Sequence, residues 1–280
     1  MADDGAKTSQ DMLEARFGEA PSLRAAGVSE EVLRSMLGRG SCRYFLDKPV
    51  PDALLEVLCA AALSSPTKSD LQQRDIILLK SPRVRQALAG LVSGQAWVAK
   101  APMLAVFCGN NRRLRVMHKR HGIPFANDHL DAPFNAAADA AIALGAFVTA
   151  AEALGLGCCP ISAVRNQASE VSELLALPDH VFPFAGLAVG YPARAPRIAM
   201  RLPLHVTCHT DRYSETDLEE TITAYDAARA EAQPYGTERL VETHGKKEVY
   251  GWSDDKVRQY SLPERADFGA FLKARGFNLG

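Results

Sequence analysis

FNAAADAAIALGAFVTAAEALGL, residues 134–156, predicts the strongest helix in the chain, because alanine and leucine have high helix propensity. Its apolar residues lie almost all round the helix, which predicts burial on more than one side. The run is long enough to span a bilayer. Asp139 and Glu152 interrupt it, however, and no second such run exists, so a central or interface helix is expected and no membrane.

Short elements flank this helix on both sides. Upstream, RDIILLK (74–80) and MLAVFCG (103–109) are apolar runs of strand length, separated by a helix over PRVRQALAGLV (82–92) with proline in its first turn. DALLEVLCAAAL (52–63) predicts another helix, with Asp52 as N-cap. Downstream, CCPISAVRN (158–166) leads into a helix over ASEVSELLAL (168–177). A strand over HVFPFAGLAVGYP (180–192) follows and ends in a Gly-Tyr-Pro turn. Beyond come a polar helix near 214–232, a loop to about 251 and a terminal amphipathic helix over PERADFGAFLKARG (263–276). Strands and helices mix without strict alternation, which predicts an α+β fold. Residues 1–37 are expected to form an N-terminal helical arm, with Ser29 capping a helix over SEEVLRSML, and 38–280 a single domain. NRRLRVMHKRHGIPFANDHLDAP (111–133) breaks the pattern and is left as a solvated excursion or a lid over a site.

Hydrophobic residues make up 47% of the 280, enough for a substantial core, and the net charge of −1 gives no basic field for nucleic acid. The acidic, polar start MADDGAKTSQ has no secretory-signal pattern, so a cytoplasmic protein is expected. The six cysteines, Cys42, Cys59, Cys108, Cys158, Cys159 and Cys208, form no CxxC pair and are expected as free thiols. Neighbouring Cys158 and Cys159 bridge only with strain. His205 and His209 stand four apart, but Pro203 and β-branched neighbours favour an extended segment, so no metal site is expected.

None of the common catalytic motifs is present: no GxSxG, no HExxH, no phosphate-binding Walker loop and no GxGxxG after a strand. Chemistry without a catalytic side-chain set points to a cofactor that does the work. One cluster suits a phosphate. In an extended Gly38-Arg39-Gly40-Ser41-Cys42-Arg43-Tyr44-Phe45, residues 39, 41 and 43 share a side, bringing two guanidinium forks and a hydroxyl together. Arg201 is a candidate third cation.

GRGSCRYF (38–45), SSPTKSDLQ (64–72), SGQAWV (93–98), AAEALGLGCCPISAVRN (150–166) and GYPARAPRIAMRLP (190–203) occur in the order and approximate spacing seen in nitroreductases. Over residues 36–210 the chain resembles the large, oxygen-insensitive, NADPH-preferring branch and its flavin-reductase relatives. The tail, WSDDKVRQY and ERADFGAFLKARGF, is also similar to that branch.

The resemblance implies a mostly antiparallel sheet flanked by helices, an intertwined homodimer with an extended C-terminal tail, FMN as cofactor and NAD(P)H as electron donor. It implies ping-pong, two-electron reduction of a small aromatic acceptor such as a nitroaromatic or quinone. By its positions, Arg39, Ser41, Arg43 and Arg201 contact the flavin phosphate and ribityl chain, and Gln95 contacts the flavin. Pro66, Thr67 and Asp70 reach the flavin of the other subunit. Pro160, Ile161, Ser162 and Ala163 pass the isoalloxazine edge, where a backbone N–H faces N5. In YGTERLVETHGKKEVYGW (235–252), Arg239, Lys246 and Lys247 are the cations available for the NADPH phosphate.

The chain departs from the family pattern in places. Thr67 and Asp70 replace the usual serine and asparagine, and Ser162-Ala163 replaces two glycines. Ala199 replaces a lysine, a loss that Arg194 or Arg197 could offset. Two further readings stay open: a flavin reductase feeding a monooxygenase, and a flavin-binding redox sensor using Cys158–Cys159.

Overall fold

The computed structural model describes residues 8–18, 30–92 and 94–280. In chain order its helices are α1 (Ser9–Phe17), α2 (Glu30–Leu37), α3 (Asp52–Leu63), α4 (Pro82–Leu91), α5 (Arg112–His121) and α6 (Asp131–Ala153). They continue with α7 (Ala168–Leu174), α8 (Leu204–Thr207), α9 (Leu218–Ala232), α10 (Val241–His244), α11 (Trp252–Tyr260) and α12 (Phe268–Ala274). The strands are β1 (Arg74–Leu79), β2 (Met103–Asn110), β3 (Gly157–Ile161) and β4 (Val181–Gly190). They form one sheet in the order β1-β2-β4-β3, and every pairing is antiparallel. The expected α+β class is what the structure contains.

By their contacts the residues group into two units, Met1–Arg39 with Arg197–Glu264, and Gly40–Pro196 with Arg265–Gly280. The sheet lies in the second unit and shows the two-residue alternation of a strand buried on both faces. Met103, Ala105 and Phe107 of β2 pack on one side with Leu55, Leu58 and Ala62 of α3 and Phe147 of α6. Leu104, Val106 and Cys108 pack on the other side with Leu88 of α4 and Val171 of α7. Phe107 and Phe147 meet edge to face at 5.7 Å. Phe271 and Leu272 of α12 and Phe277 close a smaller cluster on Phe182.

Helix α6 is buried along one side only. Ala136, Asp139, Ala140, Ala143 and Phe147 face the core, whereas Phe134 and Ile142 are 67% and 42% exposed. Within one chain the helix is thus central on one stripe, and the expectation of a central or interface helix leaves its other face to an interface. The small residues make the helix look uniformly apolar in sequence, but only one stripe of it meets the sheet.

In the first unit, α9 and α11 cross where Tyr225 meets Trp252 edge to face at 5.6 Å. Ser253 N donates to Asp226 Oδ1 at 2.9 Å beside that crossing. Helix α1 starts on a capping box formed by Thr8 and Asp11 and stops at Gly18, which takes the left-handed conformation at φ 73°. Ser29, the expected cap of α2, lies outside the described residues.

Several local expectations are corrected. Pro51, not Asp52, is the N-cap of α3, and Asp52 is its first residue, where its charge favours the helix dipole. Its carboxylate is taken by Lys80 at 2.9 Å. The first half of the 111–133 excursion is helix α5, ended by Gly122 at φ 65°. None of its residues is buried, so no apolar stripe marks it in sequence. His205 lies in the short helix α8, not in an extended segment. The stretch read as a loop to 251 contains α10, and Trp252–Tyr260 forms α11. The six cysteines are free thiols, and Cys108 is pushed up to about 12 by burial and by Asp75.

Candidate active site

In the sheet unit, residues 41–46 run as an extended strip along the ends of β3 and β4. Cys42 N donates to Cys158 O at 2.9 Å, Leu46 N donates to Tyr191 O at 2.9 Å, and Phe45 bridges Pro192. The strip comes so close that a Cβ on Gly157 would lie 2.6 Å from both Cβ and Sγ of Cys42, so glycine is required there. Cys42 turns inward and is buried, and burial raises its thiol pKa. Alternation then leaves Ser41 and Arg43 exposed. The Arg43 guanidinium rests over the Trp97 ring at 5.8 Å. Trp97 sits in the turn that begins at Gln95, whose carbonyl accepts from Val98 N at 2.9 Å.

β3 ends in a 3-10 turn over Ser162–Arg165. Pro160 and Ser162 are exposed while Ile161 and Ala163 are buried. Ser162 opens the turn, so the first amides are at the end where a helix leaves its N–H groups unused internally. Cys158 and Cys159, as strand neighbours, point to opposite faces, and Cys158 is packed in the core with Leu187 and Val189. That geometry does not suit a vicinal redox pair.

The third element is the loop from Ser64 to Gln73. Ser69, Asp70 and Gln72 have φ of 47°, 55° and 50°, a left-handed backbone that non-glycine residues enter at a cost. Such strain persists only where the surroundings over-determine it. Asp139 of α6, 1% exposed, provides this by accepting Lys68 N at 3.0 Å and Gln73 N at 2.9 Å. Arg74 holds the near side, its Nη2 donating to Leu63 O at 2.7 Å and Ser65 O at 2.9 Å. Its Nε and Nη1 are buried with no partner among the described residues. Arg74 lines a 340 Å³ cavity together with Ser65, Pro66, Thr67 and Asp70. A buried guanidinium with two unused donors is costly unless an acceptor comes to it.

Arg39 and Arg201 belong to the other unit. They line one cavity of 740 Å³ there. In the same unit Lys246 and Lys247 line a 720 Å³ cavity with Tyr235 and Tyr250. Arg239 is not brought to it. Its Nε is 3.0 Å from Asp255 Oδ1, a carboxylate 3% exposed. Lys247 pairs with Asp254, whose carboxyl is pushed up by burial but held below its ordinary value by Lys247 and Gly251 N. Lys246 makes no ion pair among the described residues. His205 and His209 form no cluster of metal-ligating residues, and none exists among the described residues.

The geometry has counterparts in known proteins. Residues 36–191 match the nitroreductase family, and residues 200–280 match the nitroreductase family C-terminal domain. The chain belongs to the nitroreductase family. It is 32% identical over 252 residues to the FMN reductase [NAD(P)H] of Bacillus subtilis, covering 89% of this chain and 98% of that one. To the oxygen-insensitive NADPH nitroreductase of Salmonella typhimurium it is 39% identical over 197 residues, 70% of this chain and 80% of the other. The solved structure of B. megaterium NfrA2 superposes with a TM-score of 0.82 at 32% identity, over 90% of this chain and all of that one.

Against the family pattern, the residues that sequence reasoning missed are Trp97, Arg74 and Asp139. Asp139 had a signal, a lone carboxylate in an apolar helix, but that only argued against a membrane span. Arg74 had none, since an arginine at the start of a strand is ordinarily solvated.

Proposed function

We propose that this nitroreductase-family chain is an FMN-dependent NAD(P)H oxidoreductase, a soluble cytoplasmic homodimer that reduces small flat acceptors such as nitroaromatics or quinones. The observation that carries the reading is the strip over 41–46, which holds Ser41 and Arg43 outward beside the end of β3. Those donors fit a phosphate ester and a ribityl chain. The orphaned Nε and Nη1 of Arg74 fit the same group, because they lack an acceptor where the family's second-subunit contact falls.

When bound, FMN supplies two-electron redox chemistry that no side chain of this protein offers. The chain's own residues bind and orient. Arg43 neutralises the phosphate and Ser41 donates to it, and the family pattern assigns Arg39 and Arg201 to a phosphate as well. Gln95 and the amides at Ser162 and Ala163 donate to the flavin ring, stabilising charge without an ionisable group. Pro66, Thr67 and Asp70, stiffened by Asp139 and Arg74, serve the flavin of the second subunit. Where relatives carry two glycines, Ser162 adds an exposed side chain that would stand beside the ring, whereas the methyl of Ala163 is packed in the core.

The purified protein should be yellow, with about one FMN per chain. Arg43→Ala should weaken FMN binding by about 1.5–3 kcal/mol, the range of a charged hydrogen bond. Protein that gains no bound-flavin spectrum on titration would overturn the reading, and full flavin retention by the variant would overturn the role of Arg43.

The exposed stripe of α6, with Phe134, Ile142, Ala141 and Gly145, supports a second copy as its cover. Exposed Val57 and Leu63 of α3 extend the apolar surface. Light scattering should give twice the chain mass, and Ile142→Lys should shift it toward a single chain with loss of flavin. A flavin-loaded single chain would refute the shared site.

For the electron donor we propose a modest NADPH preference carried by Lys246 and Lys247. Since Asp254 already neutralises Lys247, Lys246 carries most of it. Lys246→Ala/Lys247→Ala should lower the NADPH:NADH ratio of kcat/KM about threefold at low salt and less at high salt, as exposed charges are screened. An unchanged ratio would remove both lysines from the donor site.

A further inference from the structure

In the sheet unit, the excursion over 111–133 walls a cavity of 110 Å³ together with the loop after α3 and the first turns of α6. Its wall is held in place. Arg115 of α5 donates from Nη2 to Asp128 Oδ1 at 2.5 Å and lies over the Phe125 ring at 4.7 Å. From the C-terminal segment, Asn278 Nδ2 donates to Asp128 O at 2.8 Å. At a water's usual share of liquid volume, the cavity takes about four waters, or one organic molecule of about five or six non-hydrogen atoms.

One lining residue is a buried amide with a donor to spare. Gln73 is 2% exposed, and its Oε1 accepts Asn111 Nδ2 at 2.7 Å. Asn111 is itself fixed, because its Oδ1 accepts Arg115 Nε at 2.8 Å. The Gln73 amide is therefore oriented, and its Nε2 is left with no partner among the described residues. A buried donor without an acceptor is costly, so an acceptor is expected at it.

Two charges stand at the same cavity. Lys68 and Asp131 both line it, yet they form no ion pair with each other or with any other described residue. Asp131 Oδ2 accepts Asn135 Nδ2 at 2.6 Å, which leaves Asp131 Oδ1 and Asn135 Oδ1 open. The donors Lys68 Nζ and Gln73 Nε2 suit a carboxylate, and the open oxygens of Asp131 and Asn135 suit an ammonium. A ligand of one charge would answer only one of the two. Lys68 and Asp131 are exposed, so the cavity is open to a solute.

We propose that this cavity binds a small zwitterion, a free α-amino acid of the size of glycine or alanine. Its carboxylate sits on Lys68 and Gln73, its ammonium on Asp131 and Asn135. The inference does not rest on the flavin-dependent reading. Asp139 of α6 already holds the backbone amides of Lys68 and Gln73, and an occupant would add a second tie between that loop and α6.

The test titrates glycine, acetate, methylammonium and leucine into the full-length protein at fixed ionic strength, read by calorimetry, with thermal midpoints beside. Glycine should bind and raise the midpoint, as a ligand of the folded state does. Acetate and methylammonium each carry one of the two charges and should bind at least about tenfold more weakly, the loss of one charged hydrogen bond. Leucine should not bind, being too large. Lys68→Met and Asp131→Asn, both at exposed positions, should each weaken glycine about tenfold. If Asp131→Asn does not fold, Lys68→Met decides. Absence of glycine binding would show that the cavity holds only water and overturn the proposal. Acetate or leucine binding as well as glycine does, or glycine affinity unchanged in either variant, would overturn it too.

Discussion

Replacing Asp139 by alanine should lower the unfolding free energy by about 3–5 kcal/mol, the sum of two hydrogen bonds to a charged acceptor in a buried setting. Both oxygens are in use, one on Lys68 N and one on Gln73 N, and the residue is 1% exposed. Alanine leaves the Gln73 amide with no acceptor in a buried place, and the Lys68 amide, which is only partly buried, with none but water. Three left-handed residues between them, Ser69, Asp70 and Gln72, then lose what holds them. Asp139→Asn should be nearly as damaging, because an amide offers only one acceptor oxygen and sets its NH2 against a backbone N–H. Urea unfolding at one fixed protein concentration measures the loss, since association would otherwise enter the result. New proteolytic cleavage between Ser64 and Gln73 should accompany it. A change below about 1 kcal/mol, typical of a surface site, would show that the loop is held by other contacts.

This residue illustrates what was legible in the sequence. Helix α6 and the strands β1, β2 and β4 were legible, because apolar runs bounded by glycine and proline leave few alternatives, whereas β3, five residues with a proline among them, was not read as a strand. The side of α6 that stays open was not legible, since alanine serves equally on a buried and an exposed face. Helix α5 was invisible for the opposite reason: RRLRVMHKRH buries nothing, so propensity had no periodic pattern to support it. At the site, the alternation of Ser41, Cys42 and Arg43 was legible because a strand fixes which side chains share a face. Long-range partners were not. Nothing near Asp139 in sequence points to Lys68 and Gln73, because those bonds exist only once the chain has folded. The donor loop shows the same limit. Arg239 is an available cation in sequence, but in the structure Asp255 has taken it.

Gly157→Val should damage both fold and flavin binding, and a second substitution should separate the two effects. A Cβ at 157 would meet Cys42 Cβ and Sγ at 2.6 Å, well inside contact distance. Cys42 cannot withdraw easily, because its amide is bonded to Cys158 O and its side chain is buried. The strip over 41–46 must therefore lift from β3, at a cost of about 3 kcal/mol, the upper range for overpacking a close-packed site. Ser41 and Arg43 flank the displaced residue, so the protein should also lose FMN affinity, by at least as much as Arg43→Ala alone. Cys42→Gly in the Gly157→Val background removes both clashing atoms. It should recover most of the FMN affinity but less of the stability, since a glycine in the strip costs about 1 kcal/mol in chain entropy. Paired titrations of FMN into the single and double variants, with thermal midpoints beside them, measure this. If Gly157→Val binds FMN as wild type does, the strip does not carry the phosphate donors. If Cys42→Gly fails to rescue binding, the strip is not displaced by the clash at Cys42 but by a change elsewhere along β3.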